Sequence, residues 1–184
     1  MSMPWFRAWV TLLLLAATWS VRAEIKTASS DGFVVIYSQR INAAPATVFA
    51  ALTAVDRWWS GEHTWSGNAA NLSLKAEAGG CFCERWKDGN VEHGRVIVVL
   101  RDQMLRLQSA LGPLQAGAVN GVLTFQLAPD AKSVSAATVL TLTYAVNGAS
   151  GSTLDKIAPA VNTVLGEQFG RLVRFIETGQ ATAP

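Results

Sequence analysis

Residues that could hold a metal ion are scarce in this chain. It contains two histidines and two cysteines, and none of them falls in a C-x-x-C or H-x-x-x-H spacing. The sequence also lacks a G-x-S-x-G nucleophile elbow, a Walker loop and a dinucleotide fingerprint. These absences give no support to a zinc site or a nucleotide cofactor, so we expect neither a metal nor a cofactor.

The chain also lacks a strong charge of either sign. It has 15 Lys and Arg against 13 Asp and Glu, a formal net charge of +2. Two of the basic residues, Arg7 and Arg22, lie in an N-terminal segment that we expect to be removed. No positive field is then left to attract nucleic acid or an anionic membrane, and we expect no nucleic-acid partner.

The first 23 residues resemble a cleaved export signal. Arg7 precedes an apolar run at residues 10–17, and Val21-Arg22-Ala23 is similar to a small-x-small cleavage site. The apolar stretch is too short and too interrupted for a comfortable membrane span. We therefore expect cleavage near Ala23, a periplasmic or secreted protein without a stable membrane anchor, and a single domain over residues 24–184. An uncleaved N-terminal anchor is the alternative.

Cys81 and Cys83 are two residues apart in a strand-like segment, so their side chains should point to the same face. On a regular strand their Cα atoms would lie about 6.5–7 Å apart, near the upper limit for a disulfide. After export they would meet an oxidising compartment. Packed free thiols, a strained mutual bridge, an intermolecular disulfide and a metal site all remain open.

The longest apolar-striped segment, Leu154–Thr178, predicts a helix that the rest of the chain must cover. Its apolar residues recur at helical spacing on one broad face. Residues 152–155 suggest a start of the capping-box kind and Gly179 a stop. Because proline is unfavourable inside a helix, we expect a short turn up to Ala158 and a main helix that begins at Pro159.

The preceding segments read as antiparallel strands. Residues 33–41 predict a first strand, two short helices follow between residues 45 and 59, and about six strand candidates lie between residues 72 and 146. Asp88-Gly89 is a strong hairpin signal. The expected fold class is α+β: a helix-grip fold with a curved antiparallel sheet of about six to seven strands wrapped around the C-terminal helix.

The chain resembles the helix-grip superfamily of START, polyketide-cyclase and birch-pollen-allergen-like domains (SRPBCC). It is most similar to the branch related to heat-shock-protein ATPase activator homologues, in a secreted form. The residues that carry this resemblance are APATVFAALT (44–53) with Trp58-Trp59, GGCFCERW (79–86) with Asp88-Gly89, LGPLQ (111–115), and residues 158–168 of the last helix. The resemblance implies an apolar ligand between the sheet and the last helix, although a minority of members are enzymes.

From this resemblance and the apolar patterning we expect an exported protein that binds an apolar small molecule or a lipid. Such ligands need a mostly apolar pocket with a few polar groups. A glycine-punctuated crossing loop at residues 111–121 would lie at the mouth as a flexible lid. The expected ligand-binding residues are Trp58, Trp59, Phe125, Leu142, Tyr144, Val161, Leu165, Gln168 and Phe169.

An enzymatic alternative rests on the hairpin around Asp88-Gly89. A regular two-residue loop would place Glu84 opposite His93 and bring Arg95 to the same face. Facing inward, Glu84 and His93 could perform cyclase- or hydrolase-like acid–base chemistry, with Arg95 stabilising negative charge. The pattern does not decide which face is inward, so solvated cross-strand charge pairs remain open. A protein-interaction module is a third alternative, and the oligomeric state is undetermined.

Overall fold

The computed structural model describes residues 22–131 and 136–182. Apart from Arg22 and Ala23, the expected signal peptide lies outside the described residues. Within the described ranges, no helix is both long and apolar enough to cross a lipid bilayer.

An antiparallel sheet and three α-helices make up the described part of the chain. The elements, in chain order, are β1 (Arg22–Ser29), β2 (Gly32–Ile41), α1 (Pro45–Thr53), α2 (Val55–Trp58), β3 (Leu72–Leu74), β4 (Cys81–Trp86), β5 (Gly89–Leu100), β6 (Met104–Gln108), β7 (Val119–Pro129), β8 (Thr138–Gly148) and α3 (Leu154–Thr178). The eight strands are ordered β1-β2-β8-β7-β6-β5-β4-β3.

This architecture confirms the α+β helix-grip fold, with one strand more than expected. The additional strand is β1, which pairs antiparallel with β2 at the edge of the sheet. Most of its residues are exposed, so it lacks the half-buried alternation by which strands are recognised in a sequence.

The core lies between the concave face of the sheet and α3. Every second residue of β2 is buried, as strand geometry requires. Tyr37 of β2 packs against Phe169 of α3 with ring centroids 5.6 Å apart, and Leu165 and Leu172 are buried on the same helix. Burial of each such large apolar side chain stabilises the fold by roughly 1.5–3 kcal/mol relative to exposure.

The start of α3 differs from the sequence prediction. The helix is continuous from Leu154, with Pro159 inside it; Pro159 lies near the N-terminus, where its missing N–H removes one intrahelical bond from the second turn. No capping box forms: Thr153 is left-handed (φ 53°) and its side chain caps nothing. Instead the Leu154 N–H donates to the Ser30 carbonyl at 3.0 Å, which ties the helix start to the β1–β2 turn.

Cys81 and Cys83 form a disulfide with a Cα–Cα distance of 5.3 Å. This distance is shorter than that expected for a regular strand, and the β4–β5 pairing is irregular between Phe82 and Cys83. Of the four alternatives left open by the sequence, the structure therefore has the mutual bridge.

Candidate ligand-binding site

A cavity of about 590 Å³ lies at one end of the helix-grip fold. Its walls are the N-terminal half of α3, the segment around the 3₁₀ turn Gly112–Ala116, and the loop of residues 60–66, which we call the cavity-wall loop. The sheet contributes His93 of β5 to the lining. The cavity is thus formed mainly by connecting segments that cover one end of a rigid sheet and helix.

The helical wall is an apolar stripe. Ile157, Ala160, Val161, Val164 and Leu165 line the cavity, and their spacing places them on one side of α3. Further along the helix the buried stripe packs against the sheet instead. The N-terminal half of α3 is therefore the part of the stripe that faces open space.

The cavity-wall loop is fastened to α3 by two hydrogen bonds. The Ser60 N–H donates to Gln168 Oε1 at 2.8 Å, and His63 Nε2 lies 3.0 Å from Glu167 Oε2. Gln168 is buried, and its Nε2 has no hydrogen-bond partner among the described residues. Gln168, expected to touch a ligand, instead holds the start of this wall.

A buried hydrogen-bonded pair, Glu84 and His93, joins the cavity-wall loop to the sheet. His93 Nε2 lies 2.9 Å from Glu84 Oε2, and the side chains are 6% and 0% exposed. Glu84 also accepts the backbone N–H groups of Trp65 (3.0 Å) and Ser66 (2.6 Å). Burial of a carboxylate is tolerated here because three donors surround it.

These bonds set the protonation state of Glu84. Burial raises the pKa of this carboxyl, but the hydrogen bonds from Ser66, Trp65 and His93 together outweigh burial, and the net pKa is lowered from its ordinary 4.5. Glu84 is therefore a carboxylate at neutral pH. Since a carboxylate can only accept hydrogen bonds, His93 Nε2 carries a hydrogen and donates it.

The geometry of His93 depends on a β-bulge. Trp86 pairs with Gly89 and Glu84 with Val91, while Phe82 pairs with Gly94 and Cys83 with Glu92, so His93 is an extra residue in β5. His93 and Gly94 are both buried and Arg95 is exposed. This is the behaviour of a bulge, which puts two successive residues on one side and reverses the alternation beyond them.

Arg95 consequently does not join the Glu84–His93 pair. It lies on the outer face, where its Nη2 donates to Glu92 Oε2 at 2.8 Å, and its side chain is 54% exposed. The sequence analysis assumed a regular hairpin, which would have turned Arg95 inward. The register also differs from the expected one by two residues, because Lys87 and Asp88 form the turn.

The first part of the connection between β6 and β7, residues 109–116, which we call the crossing segment, is hydrogen-bonded to β5 and β8. Tyr144 Oη donates to the Ser109 carbonyl at 3.0 Å and accepts the Leu111 N–H at 3.1 Å. Ser109 Oγ donates to the His93 carbonyl at 2.6 Å. These bonds position Leu111, Pro113 and Leu114 as the second apolar wall of the cavity.

Apart from Gln168, described above, the expected ligand-binding residues divide into those that line the cavity and those that do not. Trp59, Val161 and Leu165 line the cavity. Trp58 and Phe125 instead border a void of about 10 Å³, and Leu142, Tyr144 and Phe169 are buried in the core. The sequence analysis did not select Ile157, Ala160 and Val164, although their spacing on the same stripe is a signal that could have identified them.

Metal ligands do not cluster in the part of the chain that the structure describes: it contains no group of three or more His, Cys, Asp or Glu residues placed to share an ion. The titratable side chains of the cavity lining are Glu62, His63 and His93, and most of the other lining residues are apolar.

Comparisons with known proteins support the fold. No protein-family model matches the chain, and no curated protein matches it. Among solved structures it is similar to CalU16 from Micromonospora echinospora (TM-score 0.57, 18% identity, 91% of this chain and 88% of that one). It is also similar to EF2215, a protein of unknown function from Enterococcus faecalis (TM-score 0.56, 17% identity, 92% and 82%). At these identities the likeness extends to the helix-grip fold alone.

Proposed function

We propose that this protein is an exported, secreted member of the START-like superfamily that binds an apolar small molecule or a lipid. The observation that carries the proposal is the cavity at the end of the grip. Its volume of about 590 Å³ lies within the range of roughly 300–1,000 Å³ that is usual for small-molecule sites.

The chemistry of the walls supports an apolar occupant. The α3 stripe and the segment Leu111–Leu114 present aliphatic side chains, and Trp59 adds an aromatic surface. Each Å² of apolar surface that a ligand buries there contributes about 25 cal/mol. A compound with a substantial hydrocarbon body could therefore bind without charged contacts.

Export rests on two independent features. The N-terminal residues have the pattern of a cleaved signal, and the Cys81–Cys83 disulfide is of a kind that persists in oxidising compartments. Determination of the N-terminal residue of protein recovered from the exported fraction tests this part of the proposal. We expect Glu24; an intact Met1 with protein retained in the cytoplasm would overturn it.

Ligand binding is tested on the full chain produced in a host that processes export signals. We expect native mass spectrometry to show a stoichiometric adduct that organic extraction releases. Ala160→Trp should displace it, because Ala160 lines the cavity and a tryptophan would occupy the space. Thr163→Trp is the matched control, since Thr163 is exposed on the same helix outside the cavity lining.

An adduct that survives in Ala160→Trp would contradict the assignment to this cavity. If the protein is recovered empty, titration with hexylbenzene and with derivatives of it that carry one polar group decides. Absence of saturable binding of every one of these probes to folded protein would refute the binding function.

The Glu84–His93 pair favours a second candidate, an acid–base enzyme of the cyclase or hydrolase kind. A carboxylate that orients an imidazole at the edge of a cavity is the arrangement of a general base. Arg95 takes no part, because it is on the opposite face. If the protein is an enzyme, compounds extracted from the wild type and from His93→Phe should differ in mass as product and substrate do. Identical compounds would leave binding as the function.

A further inference from the structure

We propose that the cavity selects uncharged amphiphiles whose polar end is a hydrogen-bond donor, an alcohol or a phenol, which bonds to His93 Nδ1 while the hydrocarbon body lies along α3. This inference rests on the proposed binding function and names the chemical class of the ligand. It follows from the hydrogen-bond partners of the polar groups at the cavity and from how deeply each group is buried.

The imidazole of His93 is fixed by its partner. Glu84 Oε1 accepts the Ser66 N–H, and Oε2 accepts the Trp65 N–H and the His93 Nε2–H. Glu84 is itself fully buried and does not line the cavity. It therefore acts through His93, holding one ring nitrogen so that the other is left for a ligand.

His93 Nδ1 is the nitrogen that remains. The ring lines the cavity, and Nδ1 makes no hydrogen bond to any described residue. With Nε2 protonated, a neutral imidazole offers only a lone pair at Nδ1. A ligand group that donates a hydrogen bond completes this site, whereas an ether or ketone oxygen would face another acceptor.

Thr64 Oγ1 donates to the Gly61 carbonyl at 2.8 Å. The other acceptors of the lining lie nearer to solvent: His63 Nε2 is bonded to Glu167, which leaves its Nδ1, but the His63 side chain is 29% exposed, and Glu62 is exposed. These three lining residues belong to the cavity-wall loop, where Trp65 is 59% exposed. His93 is only 5% exposed, so a ligand that reaches it must place its polar end deep and its apolar body towards the mouth.

Charge disfavours an anionic head group. Glu62 lines the cavity, and the Glu84 carboxylate lies directly behind His93. The described lining contains no lysine or arginine. A carboxylate or phosphate would have to leave water without a fixed cation to receive it, so fatty acids and phospholipid head groups should be poor ligands.

Four matched probes test the inference by isothermal titration at about pH 8, where phenols are mainly neutral. They are 4-hexylphenol, its methyl ether 4-hexylanisole, hexylbenzene and 4-hexylbenzoic acid. We expect the phenol to bind several-fold to about tenfold more tightly than the anisole or hexylbenzene, as one net hydrogen bond allows. The benzoate should bind most weakly.

Titration of the wild-type protein with the four probes distinguishes failure of the inference on ligand class from failure of the proposed binding function. If hexylbenzene binds but the phenol has no advantage, or if the benzoate binds best, the inference on ligand class fails while the binding function stands. If none of the four probes binds the folded protein, both fail.

Variants of the two cavity histidines assign the contact. His93→Phe should abolish the preference for phenol over anisole. His63→Phe, the matched control, should retain the preference even if overall affinity changes, because the His63 side chain is 29% exposed, whereas that of His93 is 6% exposed at the buried end of the cavity. A preference that survives in His93→Phe, or is lost in His63→Phe, would overturn the assignment to His93.

Glu84→Gln supplies an independent test if His93→Phe fails to fold. Where the glutamine amide nitrogen faces His93 it donates to Nε2 and moves the hydrogen of the neutral ring to Nδ1; where it faces Ser66 the hydrogen stays on Nε2. Nitrogen-15 NMR of the ring reads which tautomer folded Glu84→Gln adopts. With the hydrogen on Nδ1 the variant should bind 4-hexylacetophenone, a hydrogen-bond acceptor, more tightly than 4-hexylphenol, and with the hydrogen on Nε2 the preference for the phenol should persist. A preference that does not follow the tautomer would contradict the proposed geometry.

Discussion

At the scale of single residues, Glu84 links the stability of the protein to the shape of its cavity. Its carboxylate serves three donors on two different segments, the backbone of Trp65 and Ser66 and the ring of His93. Removal of one acceptor atom would leave a buried N–H unpaired, which costs more than an average hydrogen bond contributes.

We expect Glu84→Gln to lower the free energy of unfolding by about 1–3 kcal/mol. A glutamine presents one oxygen in place of two, so either the Trp65 or the Ser66 N–H loses its acceptor. Urea denaturation at neutral pH measures the change. Glu92→Gln is the control: that carboxylate is exposed and paired with Arg95, and its loss should cost no more than about 1 kcal/mol. Equal effects would contradict the role assigned to Glu84.

The same carboxyl predicts an acid dependence of stability. Its pKa in the folded protein is lowered from 4.5, so the unfolded chain binds the proton more readily. The stabilisation is fully present above about pH 4.5 and is lost as the pH falls through the lower, folded value. Urea midpoints of wild type and Glu84→Gln should therefore converge as the pH falls below 4.5. A constant difference would show that the ionised form of Glu84 contributes nothing.

At the scale of secondary-structure elements, two glycines test how closely the elements approach. A Cβ at Gly121 of β7 would collide with the Ser109 carbonyl oxygen and lie 2.8 Å from Tyr144 Oη. Both groups belong to the hydrogen bonds that position the crossing segment. A Cβ at Gly170 of α3 meets nothing within 4 Å.

We expect Gly121→Ala to destabilise the protein by about 2–3 kcal/mol, because backbone atoms must shift to accept the methyl group. Gly170→Ala should stabilise it by about 0.5–1 kcal/mol, since alanine favours the helix and restricts the unfolded chain. Thermal unfolding followed by circular dichroism measures both. Changes of the same sign would be inconsistent with the packing described.

The sequence predicts elements better than it predicts their contacts. The apolar stripe of α3, the alternation of β7 and β8 and the Asp88-Gly89 signal are local patterns, and they were sufficient for the helix-grip fold. The polarity pattern gives no sign of the bulge at His93, because Val91, His93 and Arg95 are spaced two apart as in a regular strand. The signal that could have located it is Gly94, because an isolated glycine inside a strand often marks a bulge.

The cavity was harder to predict than the core for a related reason. A stripe of apolar residues says which side of α3 is turned inward, but whether it meets side chains or open space depends on the walls. Here Leu111 and Trp65 are positioned by hydrogen bonds that their backbone N–H groups donate to Tyr144 and Glu84. Such contacts join residues 19 and 33 positions apart, which no periodicity reveals.

At the scale of the whole molecule, both tyrosines of the chain report on whether the sheet remains packed against α3 and the crossing segment. Tyr37 donates to the Asn162 carbonyl at 2.7 Å, and Tyr144 holds the crossing segment. Burial raises the pKa of each phenol from 10.0 to about 12. The hydrogen bond from Leu111 opposes the shift at Tyr144 without cancelling it.

We therefore expect no tyrosinate absorbance near pH 10 from the native protein. The unfolded chain ionises at ordinary values, so stability is fully present below about pH 10 and declines as the pH rises towards 12. Absorbance at the tyrosinate band, recorded with far-ultraviolet circular dichroism, measures this. Reversible ionisation at pH 10 with intact secondary structure would contradict the burial of these rings.

The extra residue in β5 has a consequence for how proteins of this fold are aligned. Up to His93 the odd-numbered residues of β5 face inward, and from Gly94 to Val96 the even-numbered residues do. Which side chains face inward therefore depends on the number of residues in the strand and not on their identity. A homologue one residue shorter at this point would have a regular strand, in which the side chain corresponding to Arg95 still faces outward. Its pocket would lose one of the two inward residues, His93 or Gly94, through a deletion, with no substitution among the other residues that line it. A gapless comparison of two such chains would match residues on opposite faces of the sheet.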